Sequence, residues 1–130
     1  MSISYLDGPR LRRAMLSACA GGQLVKNELN RINVFPVPDG DTGTNLALTL
    51  RSISGRLSSL REPRVDLVAD AIAQSAVMGA RGNCGMMLSH FLIGLSVGLR
   101  GHRSVTTAQF GIAFTEGATR LEAALDNPVE

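Results

Sequence analysis

Two aspartates, Asp39 and Asp41, stand one glycine apart within the segment NVFPVPDGDTGTN at residues 33–45. In a tight turn with this spacing, both carboxylates can reach one hard cation. Mg²⁺ favours such a site, because it is commonly bound by one or two carboxylates together with water and phosphate oxygens. Asn33 can add a neutral oxygen ligand from the preceding turn. The segment therefore predicts a magnesium site at these two carboxylates.

A loop with this composition can also form without binding a metal. A solvated turn with an aspartate cap is the alternative, and the residues of this loop alone leave it open. An EF-hand is excluded, because a loop counted from Asp39 needs Gly at its sixth position and Glu at its twelfth, where the sequence has Thr44 and Leu50. The phosphate-loop pattern GxxxxGK[ST] does not occur in the sequence.

A second glycine-rich segment, GARGNCG at residues 79–85, also stands directly before a predicted helix. The first turn of a helix has backbone N–H groups without intrahelical acceptors and a partial positive charge, and both features favour an anion. Glycine in addition permits positive φ angles and close approach of the backbone to a ligand. Two such helix starts that converge would hold a polyphosphate between them.

Apolar residues recur at helical spacing almost throughout the chain, which predicts an all-α fold and no strand. We predict five helices: one from Pro9 with a weak point at Gly21 and Gly22, then Asn45–Arg61, Asp66–Met78 and Cys84–Leu99, and a last one that begins with a Thr106–Gln109 capping box. The helix over residues 84–99 is apolar on all sides, which favours the middle of a bundle, with glycines that allow close neighbours. In the last helix we expect a buried face of Phe110, Phe114, Leu121 and Leu125.

Length and composition indicate one domain over residues 1–130, since 45% apolar residues suffice for a core. The net charge of +2 comes from scattered residues, so no basic stripe indicates a nucleic-acid partner. The densest basic cluster is interpreted as a solvated helix face; it consists of Arg10, Arg12 and Arg13.

Cysteine usage and the N-terminus both indicate a cytoplasmic protein. Cys19 and Cys84 cannot form a disulfide scaffold, which favours a reducing compartment. The N-terminal residues lack the apolar stretch of a signal peptide. The longest apolar run, residues 86–99, is interrupted by polar side chains and is short for a membrane span, so we predict no integral membrane segment.

Taken together, INVFPVPDGDTGTN followed by GARGNCG resembles the nucleotide-binding helical domain of the dihydroxyacetone kinase L family. The long form of the first motif is similar to the N-terminal domain of bacterial fatty acid kinase and its uncharacterised kinase relatives. The resemblance covers most of the chain and implies an antiparallel helical bundle or barrel that holds ATP or ADP at one end through Mg²⁺. The relatives continue beyond the Asn-Pro-Val-Glu at which this chain ends, which implies a barrel that is incomplete at its C-terminus.

The same resemblance assigns roles to individual residues. Asp39 and Asp41 would bind the metal and serve phosphoryl transfer, and Asn33 is the nearest candidate for a further ligand. Contacts with the nucleotide would come from Thr44, Asn45, Gly82, Asn83 and Cys84. The acceptor it implies is a fatty acid carboxylate on a DegV-like fatty-acid-binding protein, ahead of a dihydroxyacetone-type hydroxyl. A homodimer is left open, and so is a non-catalytic nucleotide-binding or assembly module with the same fold.

One departure from the family pattern is Cys84, which stands where relatives usually have serine. A weak S–H donor replaces a hydroxyl there, which would weaken phosphate binding by about 1 kcal/mol if the hydroxyl binds phosphate. The alternative is a reactive thiolate of low pKa, favoured by the helix N-terminus and by the neighbouring Arg81.

Two further side-chain types, histidine and methionine, invite a functional role, but favour a structural one. His90 lies within the apolar helix over residues 84–99, where a hydrogen-bonded core histidine is expected rather than a general base. The methionines near the second loop are expected in the core rather than in an adenine pocket, with Met87 as the exception to consider; they are Met78, Met86 and Met87.

Overall fold

The computed structural model of the chain describes residues 5–32 and 41–126. In these ranges the chain forms helices α1 (Gly8–Leu24), α2 (Lys26–Ile32), α3 (Thr42–Ser58), α4 (Val65–Gly79), α5 (Gly82–Leu99) and α6 (Thr107–Asp126), and strands β1 (Tyr5–Leu6) and β2 (Val105–Thr106). The all-α class is confirmed. The expectation of no strand is wrong for one short antiparallel pair, in which Tyr5 lies opposite Thr106. Two residues are too few to produce an alternating pattern that a sequence could show.

The first predicted helix is divided in two, after Leu24 rather than at the two glycines. Asp7 caps the start of α1, because its carboxylate accepts a hydrogen bond from the backbone N–H of Arg10 at 3.0 Å. Pro9 occupies the first turn, where its missing N–H is harmless. The N–H of Gly8 donates to the carbonyl of Pro63 at 3.0 Å, which ties α1 to the connection between α3 and α4.

The core is built around α4, which packs against α1, α3 and α5. Most of its positions are buried, as its alanine-rich and charge-poor sequence predicts. The largest side chains that are fully buried come from α3, α4, α5 and β2; they are Ile53, Leu57, Ile72, Leu99, Val65, Val68 and Val105, with the hydroxyl residue Thr49 among them. Burial of these apolar surfaces is the main favourable contribution to folding.

Glycines bring α5 and α6 into close contact. A Cβ atom on Gly94 would lie 2.6 Å from the Cα of Gly117, and one on Gly98 would lie 2.7 Å from the Cα of Ala113. The expected close approach at these glycines of α5 is confirmed. The buried face predicted for α6 is partly wrong, because Ala113 and Gly117 face the core while Phe114 is 52% exposed. Backbones at this separation leave no room for a phenyl ring between them.

The helix that is apolar on all sides is not buried on all sides. Met86 and Val97 of α5 are 53% and 43% exposed, because α5 packs on α4 and α6 and leaves part of its surface uncovered. By length and composition α5 is apolar enough to cross a bilayer. One such helix is weak evidence, since a core helix has the same properties. The absence of an integral membrane segment therefore stays a prediction.

Asp66 joins the start of α4 to the connection between α5 and β2. Its carboxylate accepts hydrogen bonds from the Nε and NH2 atoms of Arg64 at 3.0 and 3.1 Å and from the backbone N–H of Gly101 at 3.1 Å. Its own side chain is only 11% exposed. The hydrogen bonds from the Arg64 side chain are the main cause that lowers the pKa of Asp66 below its ordinary value of 3.8.

Replacing the glycine at the α5–α6 contact tests how tightly the helices pack. We expect Gly94→Ala to destabilise the fold by about 1–3 kcal/mol, because the added methyl group would displace the backbone of α6. Gly111→Ala is the matched control, since nothing lies within 4 Å of its added Cβ, and it should stabilise the helix by about 0.5–1 kcal/mol. Urea unfolding of both variants measures the difference. Equal effects would contradict the close contact.

The lowered pKa of Asp66 predicts a defined acid sensitivity. A carboxyl group whose pKa is lower in the folded state stabilises the fold at pH values above its ordinary pKa. This contribution is lost as the pH falls from about 4 through the pKa of the folded state. We expect Asp66→Asn to lower stability at pH 7 by about 1–3 kcal/mol and to flatten the acid limb of a plot of Tm against pH. Asp126→Asn, at an exposed position, is the control. An unchanged acid limb in Asp66→Asn would exclude the carboxylate as its cause.

Candidate functional site

The starts of α3 and α5, which carry the two glycine-rich segments, lie against each other. A Cβ atom on Gly82 would lie 2.5 Å from the Nδ2 atom of Asn45, so the first residue of α5 touches the first turn of α3. Gly82 has a φ of +66°, a conformation that side-chain-bearing residues rarely adopt. Position 82 thus requires glycine for two reasons, its positive φ angle and the lack of room for a Cβ atom beside Asn45. The structure brings Asn45 and Gly82 together, although 37 positions separate them in the sequence.

A single buried hydroxyl group connects the two helix starts. Thr49 is 0% exposed, and its Oγ1 atom donates to the carbonyl of Asn45 at 2.9 Å. The same Oγ1 accepts a hydrogen bond from the backbone N–H of Arg81 at 3.1 Å. A Cβ atom on Gly85 would lie 2.6 Å from it, so α5 can approach only because Gly85 has no side chain. Thr49 therefore sets the position of the α5 start relative to α3.

Helix α2 supports the start of α3 from the other side. The Oδ1 atom of Asn30 accepts from the backbone N–H of Thr44 at 2.9 Å, and its Nδ2 atom donates to the Thr44 hydroxyl at 2.8 Å. Gly43 packs directly against the backbone carbonyl of Lys26. The N–H of Thr44 is thus already used within the protein. Its hydroxyl accepts from Asn30 and keeps its proton for donation to another group.

At the start of α5, three backbone N–H groups have no acceptor within their own helix. Gly85 is the first residue of this turn whose N–H bonds within the helix, to the carbonyl of Arg81 at 3.1 Å. The N–H groups of Gly82, Asn83 and Cys84 precede it and have no intrahelical acceptor by geometry. The side chain of Arg81, at the cap position, makes no capping hydrogen bond to them. These three donors and the positive end of the helix dipole fit an anionic group.

One of the three expected metal ligands lies in the described part of the chain. Asp41 is the cap residue of α3, its carbonyl accepts from the N–H of Asn45 at 2.8 Å, and its exposed side chain makes no capping hydrogen bond. The carboxylate thus stands at the same helix start that faces Gly82. Asp39 and Asn33 lie outside the described residues. Within the described ranges, no group of three His, Cys, Asp or Glu side chains forms a metal cluster.

The alternative of a reactive thiolate at Cys84 is wrong. The side chain is half-buried, and burial raises the pKa of its thiol above the ordinary value. Because its thiol pKa is raised, Cys84 is expected to contribute its backbone N–H and a weak S–H donor to the site.

The histidine and methionines near α5 differ from expectation. The Nδ1 atom of His90 is buried and has no hydrogen-bond partner among the described residues, so the expected hydrogen-bonded core histidine is wrong for this atom. The methionines were expected in the core, yet Met78 is 85% exposed and Met87 is 38% exposed. They lie on the uncovered faces at the adjoining ends of α4 and α5, which apolar spacing alone does not distinguish from core faces.

Two residues of the site, Asn30 and Thr49, were not found by sequence reasoning. Asn30 lies in a short polar helix, 14 residues before its partner Thr44, and no motif connects them. Thr49 follows Asn45 by one helical turn, which is the spacing of an ordinary hydroxyl-to-carbonyl bond within a helix. Its only signal is a hydroxyl group on the apolar side of a predicted helix.

The chain is similar to known proteins over its whole length. The family model described as the DAK2 domain matches residues 36–129. Protein YloV of Bacillus subtilis (strain 168) is 32% identical over 130 residues, which is all of this chain and 24% of that protein. An uncharacterised protein of Staphylococcus saprophyticus is 31% identical over 98% of this chain and 23% of its own length. The chain spans about a quarter of the length of these curated relatives.

A pair of substitutions tests whether Thr49 holds the two helix starts together. Thr49→Val keeps the shape of the side chain but removes both hydrogen bonds, and we expect a loss of about 1–3 kcal/mol in unfolding free energy. Faster hydrogen exchange at the Arg81 amide should accompany it, because that N–H loses its acceptor. Thr49→Ser keeps the hydroxyl and should retain most of the protection. If valine left the exchange of Arg81 unchanged, the hydroxyl would not be what joins the two helices.

Proposed function

The chain belongs to the DAK2 domain family, and we propose that it is a Mg²⁺-dependent ATP- and ADP-binding kinase domain. This family comprises nucleotide-binding modules related to dihydroxyacetone kinase. The observation that carries the proposal is the contact between Gly82 and Asn45, which places two helix starts side by side. We propose that the polyphosphate of the nucleotide lies against both.

Each helix start contributes different donors to such a ligand. On the α5 side, the backbone N–H groups of residues 82–84 and the positive end of the helix face the anion. On the α3 side, the backbone N–H of Thr44 is already bonded to Asn30, and one lone pair of the Thr44 hydroxyl accepts from Asn30 as well. The donor that Thr44 offers to a ligand is therefore its hydroxyl proton. The donors are held in place before the ligand binds, which lowers the cost of ordering them.

The residues present also fit the metal that the family implies. Asp39 and Asp41, with Asn33, would hold Mg²⁺, which when bound neutralises charge on phosphate oxygens. The two helix ends would stabilise the charge that spreads over the transferred phosphoryl group. Asp41 supports this assignment, since it is the cap residue of the helix start that faces Gly82.

The acceptor is proposed to be presented by another protein. By resemblance it is a fatty acid carboxylate on a DegV-like fatty-acid-binding protein, with a dihydroxyacetone-type hydroxyl as the second choice. A non-catalytic nucleotide-binding or assembly module is the alternative function. Cys84 favours that alternative, because a thiol is a weaker donor than the serine hydroxyl that relatives usually carry.

Calorimetric titration with ADP and ATP, in Mg²⁺ and in EDTA, tests nucleotide binding. We expect binding that needs Mg²⁺ and that weakens by ~10-fold or more in Asp41→Ala, and likewise in Asp39→Ala, because each substitution removes a carboxylate ligand of the ion. Asp126→Ala removes an exposed carboxylate at the end of α6 and should bind like the wild type. Wild-type protein that binds neither nucleotide would refute the proposal.

Catalysis is tested separately from binding. We expect the chain to consume ATP when a fatty acid and a DegV-like carrier protein are both supplied, with acyl phosphate as the product. Omission of the carrier is the control and should abolish turnover. Nucleotide binding without any turnover would favour the non-catalytic module.

A further inference from the structure

A cleft of about 470 Å³ lies at the end of the molecule where α3 stops. It is bounded by the first turns of α1 and by the connection between α3 and α4. Three arginines line it, Arg12, Arg13 and Arg61, together with apolar surface from prolines and Leu60. We call it the arginine cleft.

Two of the guanidinium groups donate hydrogen bonds to the last carbonyls of α3. Arg12 donates from Nε to the carbonyl of Leu57 at 2.7 Å and from NH2 to that of Ser58 at 3.1 Å. Arg61 donates from NH1 to the same Ser58 carbonyl at 3.4 Å. These hydrogen bonds place positive charge at the negative end of the α3 dipole, which stabilises the helix. They use only some of the five N–H donors on each guanidinium.

Three arginines and one glutamate line the cleft, so positive charge is in excess there. The ion pairs among residues 5–32 and 41–126 join Asp7 to Arg10, Glu28 to Arg31 and Asp66 to Arg64, and none of them includes an arginine of the cleft. Glu62 lines the cleft, but its carboxylate accepts a hydrogen bond from the backbone N–H of Arg64 at 3.2 Å. Two guanidinium groups that share one carbonyl oxygen repel each other, and a carboxylate between them would relieve that repulsion.

The shape and the residue type indicate which anion fits. Arginine binds a carboxylate through two parallel hydrogen bonds and is enriched at protein–protein interfaces. The cleft is concave and has apolar walls at Pro9, Leu60 and Pro63, which suit the aliphatic parts of peptide side chains better than a flat bilayer surface. Glu62 at the same cleft disfavours a dense polyanion such as a phosphate cluster.

We infer that the arginine cleft binds an acidic segment of a partner polypeptide through carboxylates placed on Arg12, Arg13 and Arg61. The cleft lies at the opposite end of α3 from the proposed nucleotide site. For a helix of 17 residues that separation is about 25 Å. A docked segment therefore does not occupy the nucleotide site, and the inference holds whether or not the chain is a kinase.

Fluorescence anisotropy with a labelled peptide of alternating glutamate and alanine tests the inference. We expect this peptide to bind, and its twin with glutamine in place of glutamate to bind at least about tenfold more weakly, because the carboxylates carry the charge-assisted bonds. Arg13→Ala and Arg61→Ala should each weaken binding by roughly three- to tenfold. Arg120→Ala removes one exposed arginine from α6 and should leave the affinity unchanged.

Charge reversal distinguishes recognition from loss of fold. The double variant Arg13→Glu/Arg61→Glu should no longer bind the glutamate peptide. It should instead bind a twin peptide with lysine in place of glutamate. Arg13→Glu alone repeats the test at an exposed side chain, should the double variant fail to fold. The Tm of each variant reports folding, and ADP titration should give the wild-type result in Arg13→Ala.

Three results would overturn the inference. Equal binding of the glutamate and glutamine peptides would exclude recognition of carboxylates. Equal losses in Arg13→Ala and Arg120→Ala would show a general effect of net charge. Arg13-dependent binding to phosphatidylglycerol vesicles or to inorganic phosphate, without peptide binding, would assign the cleft to a membrane or to phosphate instead.

Discussion

The hydroxyl of Thr49 is the interaction on which the proposed site depends. It donates to the carbonyl of Asn45 in α3 and accepts from the N–H of Arg81 at the α5 start, without any exposure to water. A hydrogen bond in a buried environment is stronger than one in water, and loss of either partner leaves an unsatisfied polar group. The two helix starts are thereby held as one unit, although the loops that carry them are far apart in the sequence.

Glycine supplies the space that this arrangement needs. Gly85 lets α5 reach Thr49, Gly82 lets it reach Asn45, and Gly43 lets α3 rest on α2. Further along α5, Gly94 and Gly98 allow α6 to pack backbone against backbone. At these contacts the helices approach closely because the residues are small. The larger side chain of Phe114 lies at the rim, where its ring packs edge to face on that of Phe91 with 4.7 Å between the ring centroids.

The two ends of helix α3 are both suited to anions, but for different reasons. Its N-terminal end, near amides of α5 that have no intrahelical acceptor, is suited to an anion and to a metal held by carboxylates. Its C-terminal end is covered by Arg12 and Arg61, which neutralise the negative end of the dipole and in doing so gather positive charge. The same macrodipole therefore accounts for the nucleotide site that we propose at one end and for the arginine cleft at the other.

The sequence alone determined the helical class, the approximate bounds of most helices and the family. Periodicity and local capping suffice for this, as the reciprocal bonds between Thr106 and Gln109 illustrate at 2.9 and 3.2 Å. Only the tertiary structure decided which apolar side chains are buried, so that Phe114 and Met78 are exposed while Ala113 is not. It also decided that Asn30 and Thr49 support the site. The reason is physical: helix formation depends on neighbours within four residues, whereas burial and long-range hydrogen bonds depend on which helices meet and how closely.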